Sequence, residues 1–435
     1  MNIVNFLVMI NLNTVTTICY AVEQQKNKNK VHVDIKFPLI FIHTPFGLTF
    51  FDMVARTNAA KIYAKFNAYL MPLITAFAIF LIVGSLMIMF SNAAARDTIR
   101  NVGPRANFLI PILNPFFPVT YGLIALIITL VIHEAGHGIV ARVFNIKVES
   151  TGILLILGIP IGAFVNIERE ELARASLRQK SSILTAGALN NMIAAAISLV
   201  ALYFVISTLT PLPTSGEPQF GVVVTDINDG SLAEKVGLTK GSIIQTIAGQ
   251  NVRGVEDLGN ILRSNLGHSI EIKWQDKTGE NIVRSISLPP FAQANKGIMG
   301  IYIRDVAPNP SVVLQRYKNA FASNPIALLT PPTLGQGMYV VPYSDLMASK
   351  YESNIIGSSF PVIANMLFWI WFINFNVGIF NALPISFLDG GSWYSSLIES
   401  RTRSKTSVVK NAALLLSLVM IVIVIMSITL PYFIR

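Results

Sequence analysis

Four stretches of this 435-residue chain, 66–95, 181–216, 353–388 and 411–434, contain no Asp, Glu, Lys or Arg. A helix needs about 20 apolar residues to cross the core of a bilayer, and each stretch is long enough. A fifth apolar run, 119–141, is interrupted only by His133, Glu134 and His137. Composition points the same way. Charged residues make up 13% of the chain, where an ordinary soluble domain carries about a quarter, and the mean hydropathy is +0.57. The expected fold class is therefore a polytopic α-helical membrane protein with about six spans. The sixth candidate is 1–22, where Lys26, Lys28 and Lys30 follow the apolar run instead of preceding it. That order favours an anchor over a cleaved signal peptide.

The net charge of +10 is dispersed, and no nucleic-acid-binding motif accompanies it. Basic loops beside membrane spans explain it better. Residues 23–65 carry seven Lys or Arg, 142–180 carry six and 390–410 carry four, against three in 91–118. The richer loops are expected on the cytoplasmic side, which puts the long 211–357 segment outside the cytoplasm. A single cysteine, Cys19, rules out a disulfide framework or a Cys-ligated zinc site within one chain.

Ionisable residues at membrane depth are costly and mark functional sites. Here they cluster: His133, Glu134 and His137 in one span, and Asp389 just after another. His133 and His137 are four residues apart, so they share one helix face a turn apart. Two imidazoles so placed can grip one zinc ion. Glu134 flanks them and can take a proton from the attacking water and pass it to the leaving amine. Catalytic zinc usually has three protein ligands and an open position, and Asp389 is the candidate third ligand. His133 is the fifteenth residue of its run, about 21 Å from the outer end at roughly 1.5 Å per residue. The site is then expected below the midplane, towards the cytoplasm. The small residues Ala135, Gly136 and Gly138 would let neighbouring backbones approach. Pro361 and Pro384 bracket most of the long 353–388 run, so a helix from about 360 to 380 is expected, with an irregular segment at 381–391 lining the site. Two rivals stay open at this stage: a membrane metal transporter, and a catalytically silent scaffold that binds peptides.

Three motifs together carry a family resemblance: HEAGH at 133–137, NALPISFLDGG at 381–391 and AGALNN at 186–191. The second matches N-x-x-P-x-x-x-x-D-G through Asn381, Pro384, Asp389 and Gly390. The third is similar to a G-x-x-x-N element through Gly187 and Asn191. The chain resembles the site-2 protease family of intramembrane zinc metalloproteases over roughly residues 35–435. The resemblance implies Zn2+ held by His133, His137 and Asp389, with Glu134 catalytic. It also implies substrate-binding roles for Asn191 and Asn381, and cleavage of membrane-anchored proteins in or near their transmembrane segments. The expected task is regulated intramembrane proteolysis. Ser386 and Ala188 depart from prolines common in relatives, and the first bears on loop rigidity. The apolar, glycine-broken segment 152–167 resembles the family's membrane-associated β-hairpin, whose edge can pair with an unwound substrate. GLTKGSIIQTIAGQNV, 237–252, resembles the signature of a PDZ domain, with Ser242 and Ala248 departing from it. Such a domain, an extramembrane α/β module, binds extended peptide or substrate ectodomain by strand addition. The strand Phe220–Val224 is its expected edge.

The expected organisation is a candidate span at 1–22, a cytoplasmic segment at 23–65 and a transmembrane segment at 66–95. The HEAGH span follows at 119–142, the hairpin at 147–170 and a span at 181–210. The PDZ-like domain is expected at 217–305, a linker at 306–357, the LDGG span at 358–391 and a last span at 411–434.

Overall fold

The computed structural model describes residues 31–103, 114, 117–156, 159–212, 221–276, 279–290, 298–305, 310–323, 328, 341–345, 347–401 and 406–434. The candidate span 1–22 lies outside them. The described chain opens with β1 (His32–Lys36) and β2 (Leu39–Thr44), then two short helices, α1 (Leu48–Ala55) and α2 (Asn58–Asn67). Thr57 caps α2 by accepting from the Ala60 N–H. The first span-length helix, α3 (Met71–Ser91), has proline in its first turn, where no intrahelical partner is lost. It is apolar all round, with Leu73, Phe80 and Met87 exposed. A helix of that kind belongs in lipid.

After α4 (Ala93–Val102) comes the HEAGH helix, α5 (Val119–Val143). The hairpin β3 (Val148–Ile156) and β4 (Ile159–Ile167) follows, then α6 (Arg169–Arg174) and the long α7 (Leu177–Ser207). Next are β5 (Leu209–Pro211), β6 (Val222–Ile227), α8 (Leu232–Lys235), β7 (Ile243–Ile247), β8 (Gln250–Asn251), α9 (Val255–Ser264), β9 (Ser269–Gln275), β10 (Asn281–Ser287) and β11 (Ile301–Asp305). The chain ends through α10 (Pro310–Ser323), β12 (Tyr351–Ser353), α11 (Phe360–Asn381), α12 (Asp389–Arg401) and α13 (Thr406–Phe433). Among the described residues, five helices are long and apolar enough to cross a membrane: α3, α5, α7, α11 and α13.

Contacts divide the chain into two compact units, residues 1–202 with 366–435, and residues 203–365. In the first unit, Ala78 and Ile82 of α3 pack with Ile379 and Phe380 of α11 and with Met420 and Val424 of α13. The hairpin is there, and it is half of a larger sheet. The order is β1-β2-β3-β4, all antiparallel, with Ile42 opposite Ile153 and Thr151 opposite Val165. The outer edges of this sheet are β1 and β4.

The second unit holds a sheet of order β10-β9-β7-β6-β11, with β8 paired to β7. Its core includes Val222, Val224, Ile244, Ile272 and Trp274. The alternation of strand β9, exposed and buried in turn, is what a sheet with one packed face demands. Here one expectation is overturned. The described part of Phe220–Val224 is no edge, because β6 pairs with β7 on one side and β11 on the other. The edges are β10 and β11. Residues 306–357 hold more than a connection. Tyr317 on α10 shares a 2.6 Å hydroxyl hydrogen bond with Tyr343, and both rings are buried.

Candidate metal centre

Three helices supply the site. On α5, positions 129, 133, 136, 137 and 140 are all buried, the i, i+4, i+7 face of one helix. His133 and His137 lie on that face, and their Nε2 atoms are 3.3 Å apart. Asp389, the first residue of α12, reaches between them. Its Oδ2 stands 3.2 Å from His133 Nε2 and 3.2 Å from His137 Nε2. All three side chains are largely removed from solvent.

The loop before Asp389 is shaped by close backbone approaches. A Cβ on Gly390 would strike the Ala382 and Leu383 carbonyls, and one on Gly391 would strike the Ile385 carbonyl. That is the physical reason for glycine after this aspartate. The Thr75 hydroxyl on α3 donates to the Ala382 carbonyl at 2.6 Å. The Ser386 N–H donates to Ser417 Oγ on α13 at 3.0 Å. A proline at 386 would have no such N–H; serine here ties the loop by a hydrogen bond instead of by a ring.

Helix α7 forms the back wall. Gly187 faces both imidazoles so closely that a Cβ would overlap them. Four residues earlier, the Ile183 carbonyl lies 2.7 Å from His137 Nδ1. Four residues later, the Asn191 amide lies 3.1 Å from His133 Nδ1. Ile183 lies outside the motifs and Asn190 is not one of their matched positions, yet Ile183, Gly187 and Asn191 fall on one face at a spacing of four. Asn190 accepts from the Tyr63 hydroxyl at 2.7 Å and donates to the Ile132 carbonyl at 3.3 Å. It braces α5 one residue before His133. Gly136 lets the helices meet, since a Cβ there would lie 2.7 Å from the Ala186 carbonyl oxygen. Gly138 makes room in the same way for the ring of Phe51.

Glu134 is held by strand β4. Its Oε2 accepts from the Val165 N–H of β4 at 3.0 Å, so the carboxylate is held beside the sheet edge. Asn381 is the last residue of α11 and is buried.

The donor set fits a metal ion. With His137 Nδ1–H donating to a carbonyl, its Nε2 carries a lone pair. That lone pair and Asp389 Oδ2, which has no hydrogen-bond partner, converge with His133 Nε2. Lone pairs crowded at 3.2–3.3 Å repel unless a proton or a metal cation lies among them. A tetrahedral ion bound at about 2.0–2.1 Å sets its donors about 3.3 Å apart. Among the described residues, these three form the one group of His, Cys, Asp or Glu able to converge in this way.

Comparison with known families decides the relationship. The model of "Peptidase family M50" matches residues 121–426. The chain belongs to this family. The match runs from α5 to α13 and so takes in both halves of the metal centre. An uncharacterised protein of Methanocaldococcus jannaschii is 24% identical, covering 87% of this chain and 82% of that one. A Clostridium acetobutylicum chain, provisionally named a zinc metalloprotease, is 24% identical over 67% of this chain and 89% of that one. The Regulator of sigma-W protease RasP of Bacillus subtilis is 25% identical over 51% of each chain. The PDZ domain of an SdrC-like protein from Listeria innocua is 27% identical, covering 20% of this chain and 97% of that one, with a TM-score of 0.17. As an M50 peptidase the chain is a metalloprotease, and its apolar helices make it a multi-pass membrane protein. The expected resemblance to site-2 proteases is thereby met.

Proposed function

We propose that this peptidase uses zinc held by His133, His137 and Asp389 to hydrolyse a peptide bond of a membrane-anchored protein, in or near that protein's transmembrane segment. The observation that carries the reading is the convergence of the three donor atoms within 3.3 Å, two of them on a helix of membrane-spanning length. Bound zinc supplies Lewis acidity to the scissile carbonyl and to water. The chain's own groups do the rest. Glu134 accepts the proton of the attacking water and returns it to the leaving amine. The Val165 N–H fixes one oxygen of that carboxylate and leaves the other for the proton. Helical substrates hide their carbonyls, so the substrate must unwind. Strand β4, an outer strand of its sheet beside the Glu134 carboxylate, offers an edge for the unwound segment to pair with. Asn381 is read as a substrate contact.

A metal pathway would need several binding positions in succession. Among the described residues the donors meet at one place, which favours catalysis over transport. Loop charge puts the metal centre towards the cytoplasmic side and residues 217–305 outside the cytoplasm. Those residues are read as a PDZ domain that receives peptide or substrate ectodomain, supported by the 237–252 signature and by a sheet flanked by α8 and α9. Regulated intramembrane proteolysis is the task this arrangement suits.

The reading is tested with purified protein in detergent and a single-span substrate. Chelation should stop cleavage and zinc should restore it, while Asp389→Asn should stay inactive after zinc is returned. Cleavage that survives full chelation, with zinc removal verified, refutes the metal role.

A further inference from the structure

Asn191 is buried, with no exposed surface. Its side-chain nitrogen faces His133 Nδ1 at 3.1 Å, and its Oδ1 has no partner. Oxygen and nitrogen of such an amide exchange by a half-turn and are told apart only by their hydrogen bonds. With nitrogen towards the ring, the amide donates into the Nδ1 lone pair and His133 must carry its proton on Nε2. That is the atom facing His137 Nε2 and Asp389 Oδ2, and a protonated nitrogen there cannot bind a cation. With oxygen towards the ring, Nδ1–H donates to Oδ1 and Nε2 is bare. His137 already has this arrangement through the Ile183 carbonyl.

We propose that Asn191 is a positioning residue: its Oδ1 accepts the Nδ1–H of His133, fixing the ring in the tautomer whose Nε2 can bind metal. The inference rests on the metal centre proposed above. It gives Asn191 a partner in the protein, where the motif alone implied a substrate contact. It also gives the two histidines matched acceptors from one face of α7: a backbone carbonyl at 183 and a side-chain carbonyl at 191. Acceptors of this kind set ligand basicity and orientation, and their loss typically costs about 10–100-fold in metal affinity.

The test is zinc affinity of the purified full chain in detergent, by competition with a chromogenic chelator and without substrate. Asn191→Leu has nearly the same size, suits a membrane helix and has no acceptor. It should bind zinc about 10–100-fold more weakly. Asn191→Asp keeps an acceptor in place and should bind as tightly as the parent or more so. Leucine binding at parental affinity overturns the proposal, as does aspartate losing as much as leucine. A parent that takes up no zinc overturns the metal centre itself and this inference with it. Parental binding with leucine unchanged overturns the role of Asn191 alone.

Discussion

Gly187 shows how little room the two histidines leave. Alanine is the better helix former by about 1 kcal/mol, yet a methyl at 187 would enter the space of both imidazoles. Gly187→Ala should therefore bind zinc at least about 10-fold more weakly than the parent. Isothermal titration of the stripped protein checks this, and unchanged affinity would mean the rings can retreat. A second residue carries backbone strain. Ala248 adopts φ 49, a left-handed conformation costing about 1 kcal/mol in a residue with a Cβ, and less in asparagine. It stands where the PDZ signature has asparagine. Ala248→Asn should raise the melting temperature of the protein, and a lowered one would show that alanine is preferred there for packing. The convergence of His133, His137 and Asp389 was legible from spacing and from the cost of charge in a span. The partners behind them were not. Ile183 acts through its backbone and Val165 through its N–H, and neither function leaves a mark on residue type.

At the scale of elements, the apolar runs were legible because lipid demands them and soluble loops do not tolerate them. Helix α11 ends at Asn381 and α12 begins at Asp389, close to where the prolines and LDGG placed an irregular segment. The strands β1 and β2 were not read from 23–65. They are short, and the pairing of β2 with β3 is set by partners more than 100 residues away, which local patterns cannot report. One consequence concerns His43 on β2. Its burial lowers its pKa from 6.5, more than the Asp34 carboxylate beside it raises it. Between that lowered value and about 6.5 the unfolded chain binds a proton that the folded chain does not, so stability rises with pH through this window. The melting temperature should climb as pH rises towards about 6.5, and less steeply in His43→Gln. Equal slopes would remove His43 from the cause.

At the scale of the molecule, the proposed orientation rests on loop charge. The single native cysteine, Cys19, makes this easy to test. In a Cys19→Ser background, a cysteine replacing exposed Lys240 should react with an impermeant maleimide added to intact cells. One replacing exposed Glu170 should react only after the cells are opened. The reverse pattern would invert the topology. The peptidase reading itself turns on Glu134, which flanks the metal donors without being one of them. Cleavage of a single-span substrate by the purified protein, compared with Glu134→Gln at equal zinc content, isolates that group. A rate lower by about 10²–10⁴-fold is expected for the loss of a general base; cleavage at the parental rate would show that Glu134 does not move the proton and that the chemistry assigned to this site is wrong.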